Sequence, residues 1–145
     1  MVDSINKENL EAIELLYRGY REFTQQADAL LEKRGLNRAH HRILYFVGRN
    51  RDGSVADLLQ ALAISKQALN IPLRQLISME LIESKRASSD ARIKMLRLTQ
   101  SGKRLETRLT EAQSELLNHV FEEAGPKAED NWRVVMRILA EFSER

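Results

Sequence analysis

The sequence predicts a mainly α-helical, α+β single domain, and three observations lead there. Apolar residues recur at spacings of three and four over most of the 145 residues, which is the pattern of amphipathic helices. Two short segments within residues 81–98 have β-type composition and a polar connection, which is typical of a hairpin. An apolar fraction of 43% supplies a core, and the length suits one domain, placed at residues 1–145.

The composition excludes several classes of protein. Because the chain has no cysteine, it has no disulfide framework, thiolate metal site or thiol nucleophile. No apolar run approaches the roughly 18 residues that a membrane span needs, and the N-terminal residues lack the pattern of a signal peptide. We therefore expect a cytoplasmic protein with no membrane partner.

The positive charge is concentrated in the middle of the chain. The whole chain has a net charge of +2, but residues 65–104 hold 9 basic and 3 acidic side chains, a local net charge of +6. Such a block is expected where a protein contacts phosphates, because each neutralised phosphate releases condensed counterions. A solvated basic face is the alternative, and charge alone does not choose between the two.

The first predicted helix covers residues 7–34 and ends at Gly35. At 1.5 Å per residue it is roughly 40 Å long, which is more than a compact domain of this size needs. Part of its apolar stripe is therefore expected to cover a second subunit, which predicts a homodimer. The stripe consists of Leu10, Ile13, Leu16, Tyr17, Tyr20, Phe23, Ala27, Leu30 and Leu31.

Three shorter helices are predicted next, and each follows a residue that can cap its N-terminus. They end at about Arg51, Leu62 and Met79, with Asp52 and Gly53 forming the turn after the first. Two short helices joined by a tight turn, the second with an outward polar face, predict a helix-turn-helix. The caps are Asn37, Ser54 with Asp57 as a capping box, and Ser65, and the outward side chains of the last helix are Lys66, Gln67, Asn70, Arg74 and Gln75.

A hairpin follows the helix-turn-helix, with strands at residues 81–86 and 93–98 and a polar loop between them. Its tip carries the cations Arg86, Arg92 and Lys94, which can reach phosphates or a minor groove. The hairpin and the helices together predict a winged helix-turn-helix at residues 36–99.

Two amphipathic, acidic helices are predicted to close the chain. Thr99 caps the first, which ends at Gly125 and Pro126. With the first helix of the chain they are expected to form an intersubunit bundle, so the dimerisation helices comprise residues 1–34 and 100–145. The apolar residues of the last helix are Trp132, Val135, Met136, Leu139 and Phe142.

The hairpin also carries a sequence signature. Asp90, Ala91 and Arg92, five residues, Leu98, Thr99, two residues and Gly102 match the pattern Asp-x-Arg-x5-Leu-Thr-x-x-Gly. With this signature and its order of elements, essentially the whole chain resembles the MarR family of bacterial winged-helix transcription regulators. The resemblance implies a homodimer without cofactor or enzymatic activity, which binds double-stranded DNA at a pseudo-palindromic operator and acts as a repressor.

The resemblance also assigns the DNA contacts. Residues 65–79 become the recognition helix, Arg92 the wing arginine that enters the minor groove, and Asp90 the carboxylate that orients it by charge-assisted hydrogen bonds. A turn-forming aspartate beside a solvated arginine is the alternative. The expected contact residues are Ser65, Lys66, Gln67, Asn70, Arg74, Arg86, Ser88, Asp90, Arg92 and Lys94.

Three positions depart from the family pattern. Pro72 is expected to kink the recognition helix, because it lacks an amide donor and crowds the carbonyl of Ala68. Glu80 stands where glycine is common and must take up the turn without the freedom of glycine. Ser84 stands where a basic residue is frequent. These changes affect which DNA sequence is preferred more than whether DNA is bound.

A small-molecule site is a further implication, since family members often bind aromatic or phenolic acids between the dimerisation helices and the winged helix. Core packing is the alternative for the aromatic residues, and a solvated surface position is the alternative for the arginine. The candidate pocket residues are Tyr17, Tyr20, Arg21, His41 and Tyr45.

The sequence carries no pattern of a metal or catalytic site. His40 and His41 point about 100° apart on a helix, and His119 is far along the chain, so the histidines do not predict a metal site. Glycine-rich phosphate loops and nucleophile motifs are absent from the sequence. The alternative function is a helical dimer whose degenerate recognition helix, kinked at Pro72, acts through a protein partner, and the basic middle block argues against it.

Overall fold

A computed structural model describes residues 5–145 as a mainly helical winged helix, which confirms the predicted fold class. The first four residues of the predicted dimerisation segment 1–34 lie outside the described part. None of the helices within residues 5–145 is long and apolar enough to cross a lipid bilayer. The helices are α1 (Lys7–Glu32), α2 (Arg38–Arg49), α3 (Val55–Leu62), α4 (Lys66–Ser78), α5 (Gln100–Ala124) and α6 (Pro126–Ala140), and the strands are β1 (Gly53–Ser54), β2 (Ile82–Arg86) and β3 (Lys94–Leu98).

The predicted N-caps begin α2, α3, α4 and α5. Each cap side chain accepts a hydrogen bond from a backbone N–H in the first turn, where the helix itself offers no acceptor. The box at α3 is reciprocal, because the Asp57 carboxylate also accepts from the Ser54 N–H at 3.0 Å, and these bonds lower the pKa of Asp57. The cap and donor pairs are Asn37 and Ala39, Ser54 and Asp57, Ser65 and Ala68, and Thr99 and Gly102.

The strands form one antiparallel sheet in the order β1-β3-β2. β2 and β3 are the predicted hairpin, with Ile82 opposite Leu98 at one end and Arg86 opposite Lys94 at the other. β1 is a strand that the sequence analysis missed, and it pairs Gly53 with Leu96 of β3. Gly53 also closes the predicted turn, because its N–H donates to the carbonyl of Asn50 at 2.9 Å, and its backbone then continues into the sheet.

The hydrophobic core lies between the winged helix and the inner faces of α1 and α5. The N- and C-terminal helices pack together through α5, which contacts both α1 and α6. α6 itself buries no residue, and Phe142, predicted as part of the last helix, lies beyond the end of α6 in one turn of 3-10 helix. The largest fully buried side chains are Leu31, Ile43, Leu44, Leu69, Leu76, Ile82, Leu96, Leu105 and Leu109.

Glu80 ends α4 in a left-handed conformation, with φ of 59°. Its N–H donates to the carbonyl of Ile77 at 3.0 Å, and the N–H of Leu81 donates to the carbonyl of Leu76 at 3.0 Å. These two bonds are those of a Schellman motif, which glycine normally completes. The prediction that Glu80 takes up the turn without glycine's freedom is confirmed.

The beginning of α5 is joined to the end of α4 through Thr99. Its hydroxyl donates to the carbonyl of Glu80 at 2.6 Å, and its N–H donates to the carbonyl of Leu81 at 3.1 Å. Gly102 packs on the same backbone, where an added Cβ would lie only 1.9 Å from the Leu81 oxygen. The Leu-Thr-x-x-Gly part of the signature is therefore a close contact between α5 and the residues that follow α4.

Candidate nucleic-acid interface

α4 has one buried face and one exposed face. Leu69, Leu73 and Leu76 are buried in the core. This packing leaves the polar side of the helix in solvent over its whole length. The exposed candidates on α4 and at its cap are Ser65, Lys66, Gln67, Asn70 and Arg74, and the helix continues through Pro72.

Gln75 differs from the other polar residues of α4, because its side chain is engaged within the protein. Its Oε1 lies 2.6 Å from Nε2 of His40, which is 4% exposed. Nδ1 of His40 accepts a hydrogen bond from the Asn37 N–H at 3.0 Å, so the proton belongs on Nε2, which donates to Gln75. Gln75 is exposed, as predicted for a member of the outward polar set, and its side chain also fastens α4 to the N-terminus of α2.

The tip of the wing presents an arginine held by a carboxylate. Oδ1 of Asp90 accepts from the backbone N–H and the Nε of Arg92 at 3.0 and 3.2 Å, and its Oδ2 accepts from Nη2 at 3.2 Å. The hydrogen bonds from the Arg92 side chain and backbone lower the pKa of Asp90. The Arg92 side chain is nevertheless 91% exposed, so the guanidinium is oriented without being covered.

The rest of the wing loop is closed by short hydrogen bonds. Nη1 of Arg86 donates to the carbonyl of Ala91 at 2.9 Å, and the N–H of Ala87 donates to the carbonyl of Ile93 at 2.8 Å. At least one N–H donor of Arg86 is therefore engaged in a hydrogen bond within the wing loop. The two remaining wing candidates, Ser88 and Lys94, are exposed.

Arg97 belongs to the basic middle block in the sequence but is neutralised in the fold. Its Nη2 and Nε lie 2.7 and 2.9 Å from Oδ1 of Asp52, and its Nε lies 3.8 Å from a carboxylate oxygen of Glu83. This pairing holds the turn before β1 against the wing. Part of the local +6 charge is therefore structural.

Three of the candidate pocket residues lie on α1. Tyr17 is 75% exposed, and Arg21 is also exposed. The Tyr20 hydroxyl accepts a hydrogen bond from Nη2 of Arg42 at 2.8 Å, and the Arg38 guanidinium lies 5.3 Å from the centre of its ring. These two arginines of α2 were not among the predicted pocket residues, although their spacing of four places them on one face of the helix.

The two other pocket candidates lie one turn apart on α2. His41 is buried, and its burial lowers its pKa. Tyr45 packs edge-on against Phe46, and the guanidinium of Arg49 lies 4.0 Å from the centre of its ring. Among the described residues, no group of three or more His, Asp or Glu side chains is placed to hold a metal ion.

A buried carboxylate connects α5 to α2. Glu106 is buried, forms an ion pair with Arg49 and accepts a hydrogen bond from the Thr110 hydroxyl at 2.7 Å. Glu106 was not predicted as a buried group, because the sequence does not distinguish a buried glutamate from a solvated one in an acidic amphipathic helix. This ion pair and the hydrogen bonds of Thr99 therefore both attach the winged helix to α5, in addition to the packing of α5 in the core.

Comparisons with known sequences show which proteins this chain is similar to. Residues 34–93 match the model of the MarR family. Over 135 residues the chain is 36% identical to the HTH-type transcriptional regulator PetP of Rhodobacter capsulatus, in an alignment that covers 93% of this chain and 81% of that protein.

Solved structures show the same architecture. FabT of Streptococcus pneumoniae in complex with DNA superposes with a TM-score of 0.83 at 14% identity, covering 94% of this chain and 97% of that one. Staphylococcus aureus MarR in complex with salicylate and kanamycin gives a TM-score of 0.77 at 21% identity, covering 92% and 91%. At these identities the likeness establishes the fold.

Proposed function

Because the chain belongs to the MarR family, and is therefore a DNA-binding transcription regulator and not an enzyme, we propose that it represses transcription as a homodimer bound to a pseudo-palindromic operator. The observation that carries the proposal is the exposed guanidinium of Arg92, fixed by Asp90 at the wing tip. An oriented cation enters the strong negative potential of a narrow minor groove at little cost in entropy. The exposed polar face of α4 supplies the groups for reading base edges in the major groove.

Two exposed apolar surfaces support the homodimer. On α1, Leu10, Ile13 and Leu16 are about half exposed, and on α6 Val135 and Leu139 are exposed as well. Contiguous apolar surface of this kind marks an interface, and a two-fold axis uses the same surface on both subunits. In this proposal the segments 1–34 and 100–145 pair, and they hold two winged helices at half-sites about one DNA turn apart.

We further propose that a small aromatic acid releases the operator. Tyr20 with Arg42 and Arg38 is the group best suited to hold such a molecule, because guanidinium groups bind carboxylates in a fork and stack on aromatic rings. The Nε of Arg38 is paired with Asp28 at 2.8 Å, so Arg42 is the main candidate for the carboxylate. Staphylococcus aureus MarR has been seen in complex with salicylate, which is an acid of this type. Tyr17 and Arg21 are exposed on the same helix as Tyr20, and both are included in the proposed pocket with His41 and Tyr45.

The decisive experiment measures fluorescence anisotropy of a labelled fragment from upstream of the protein's own gene, with scrambled DNA as competitor, across a salt series. Specific binding that weakens steeply with salt supports the proposal, since released counterions dominate the affinity. Equal affinity for both fragments contradicts sequence-specific repression at this site. Absence of binding at low salt favours a protein partner for α4 instead.

A further inference from the structure

Ile71 is a large apolar side chain in the middle of the exposed face of α4. It is 68% exposed, whereas the other leucines and isoleucine of that helix are buried or half-buried. Residues three and four apart share one row on a helix, so Ile71 lies between Gln67 and Arg74. Core packing does not account for Ile71, and a β-branched residue adds nothing to helix propensity.

The surroundings of Ile71 are those of a surface that meets a polyanion. α4 contains no acidic side chain, and the residues three and four positions from Ile71 are all exposed. Gln67, Arg74 and Gln75 among them are polar or basic, and the small Ala68 is apolar. A protein interface centred here would instead be expected to have a cluster of apolar or aromatic residues at its core. The major groove offers an apolar group of matching size, the C5 methyl of thymine.

We propose that Ile71 contacts a thymine methyl in the major groove and thereby selects a T·A pair at one position of each half-site. This inference rests on the proposed function, because α4 must enter the groove. The contact requires little ordering, since the side chain of a β-branched residue in a helix has one strongly preferred χ1 angle. A cytosine at that position would place its amino group against the apolar side chain and leave a buried donor without a partner.

The test replaces each thymine of the mapped operator by deoxyuridine, which removes only the methyl group, at symmetric positions of both half-sites. At one position the wild-type protein is expected to lose affinity about three- to fourfold per half-site, or about tenfold for the pair. Ile71→Ala is expected to bind the thymine and uracil operators equally. Met79→Ala, which truncates an exposed apolar residue at the end of the same helix, keeps the full loss.

The outcomes separate the inference from the function on which it rests. A wild-type protein that binds the operator specifically but tolerates uracil at every position overturns the inference. An Ile71→Ala variant that retains the uracil effect also overturns it. If the wild-type protein shows no specific binding to begin with, the proposed function fails first. Circular dichroism checks the fold of each variant. Both substituted side chains are exposed, so the substitutions are expected to leave the fold unchanged.

Discussion

At the wing tip, the Asp90 carboxylate accepts three hydrogen bonds, one from the backbone N–H of Arg92 and two from its guanidinium group. The orientation is local, since donor and acceptor are two positions apart in the sequence, and this is why the sequence alone predicted the contact. The exposure of the Arg92 side chain could not be predicted from the sequence, because it depends on how the hairpin projects from the core. An exposed but oriented cation is suited to a partner that supplies the remaining negative charge.

Replacing Arg92 by alanine is expected to weaken operator binding by about 1–3 kcal/mol, because an oriented charge is lost from the groove. Asp90→Asn should have a smaller effect in the same direction, since an amide oxygen still accepts but carries no charge. Anisotropy titrations at one salt concentration measure both. Lys127→Ala on α6 removes an equal charge away from the wing and should bind like the wild type. An unchanged affinity of the Arg92 variant would refute its assigned role.

Glu80 allows a test of backbone strain that is independent of DNA. A non-glycine residue in the left-handed region costs roughly 1–2 kcal/mol, and the extra chain entropy of glycine offsets part of that gain. Glu80→Gly is therefore expected to raise the free energy of unfolding by up to about 1 kcal/mol. Urea unfolding measures the change. Met79→Gly is the matched control: its φ is −81°, so glycine there brings only extra chain entropy and should destabilise. A Glu80→Gly protein no more stable than the wild type would contradict the strain.

At the scale of the elements, α2 places a buried histidine among charged side chains of three helices. His41 on its buried side faces the carboxylates of Glu106 and Asp28 and the cations of Arg42 and Arg49, and burial is the largest influence on its pKa, which it lowers. The neutral ring is therefore the form that the packed state prefers. Stability should depend on pH through this residue.

The lowered pKa of His41 determines whether stability rises or falls with pH. As the pH falls below the unfolded value of about 6.5, the unfolded chain takes up a proton before the folded one does, so stability is full above pH 6.5 and falls below it. Urea unfolding at pH 7.5, 6.5 and 5.5 should show this loss in the wild type, and a smaller loss in His41→Gln. The exposed His119 on α5 gives the control, and His119→Gln should retain the wild-type pH dependence. Equal slopes for all three proteins would show that His41 is not responsible.

The elements that were predicted from sequence are those with local causes. Helix caps act over two or three residues, and the hairpin has a pattern of its own, so both were predictable. β1 was not, because two residues carry no periodicity and their partners on β3 lie over 40 residues away. The bond between His40 and Gln75 spans 35 residues and was missed for the same reason. The kink at Pro72 remains a prediction.

At the scale of the whole molecule, α6 has an apolar face that a single chain leaves exposed to solvent. Val135→Glu should make the protein monomeric, since it places a charge in the proposed interface. Sedimentation velocity gives the oligomeric state, and operator affinity is expected to fall at least tenfold because only one half-site is held at a time. Gln60→Glu adds the same charge on α3, away from the terminal helices, and should remain dimeric. A dimeric Val135→Glu protein would place the interface elsewhere.

The joint at Thr99 and Gly102 has a mechanical consequence. It fixes the end of α4 to one end of α5, which at 25 residues is a rod about 37 Å long. A tilt of that rod by about 5° around its far end carries the joint through roughly 3 Å, close to the rise of one base pair. The molecule thus has the proportions of a lever. If α4 is the recognition helix, as proposed, a small change in the angle of α5 is enough to move it by about one base pair along the operator.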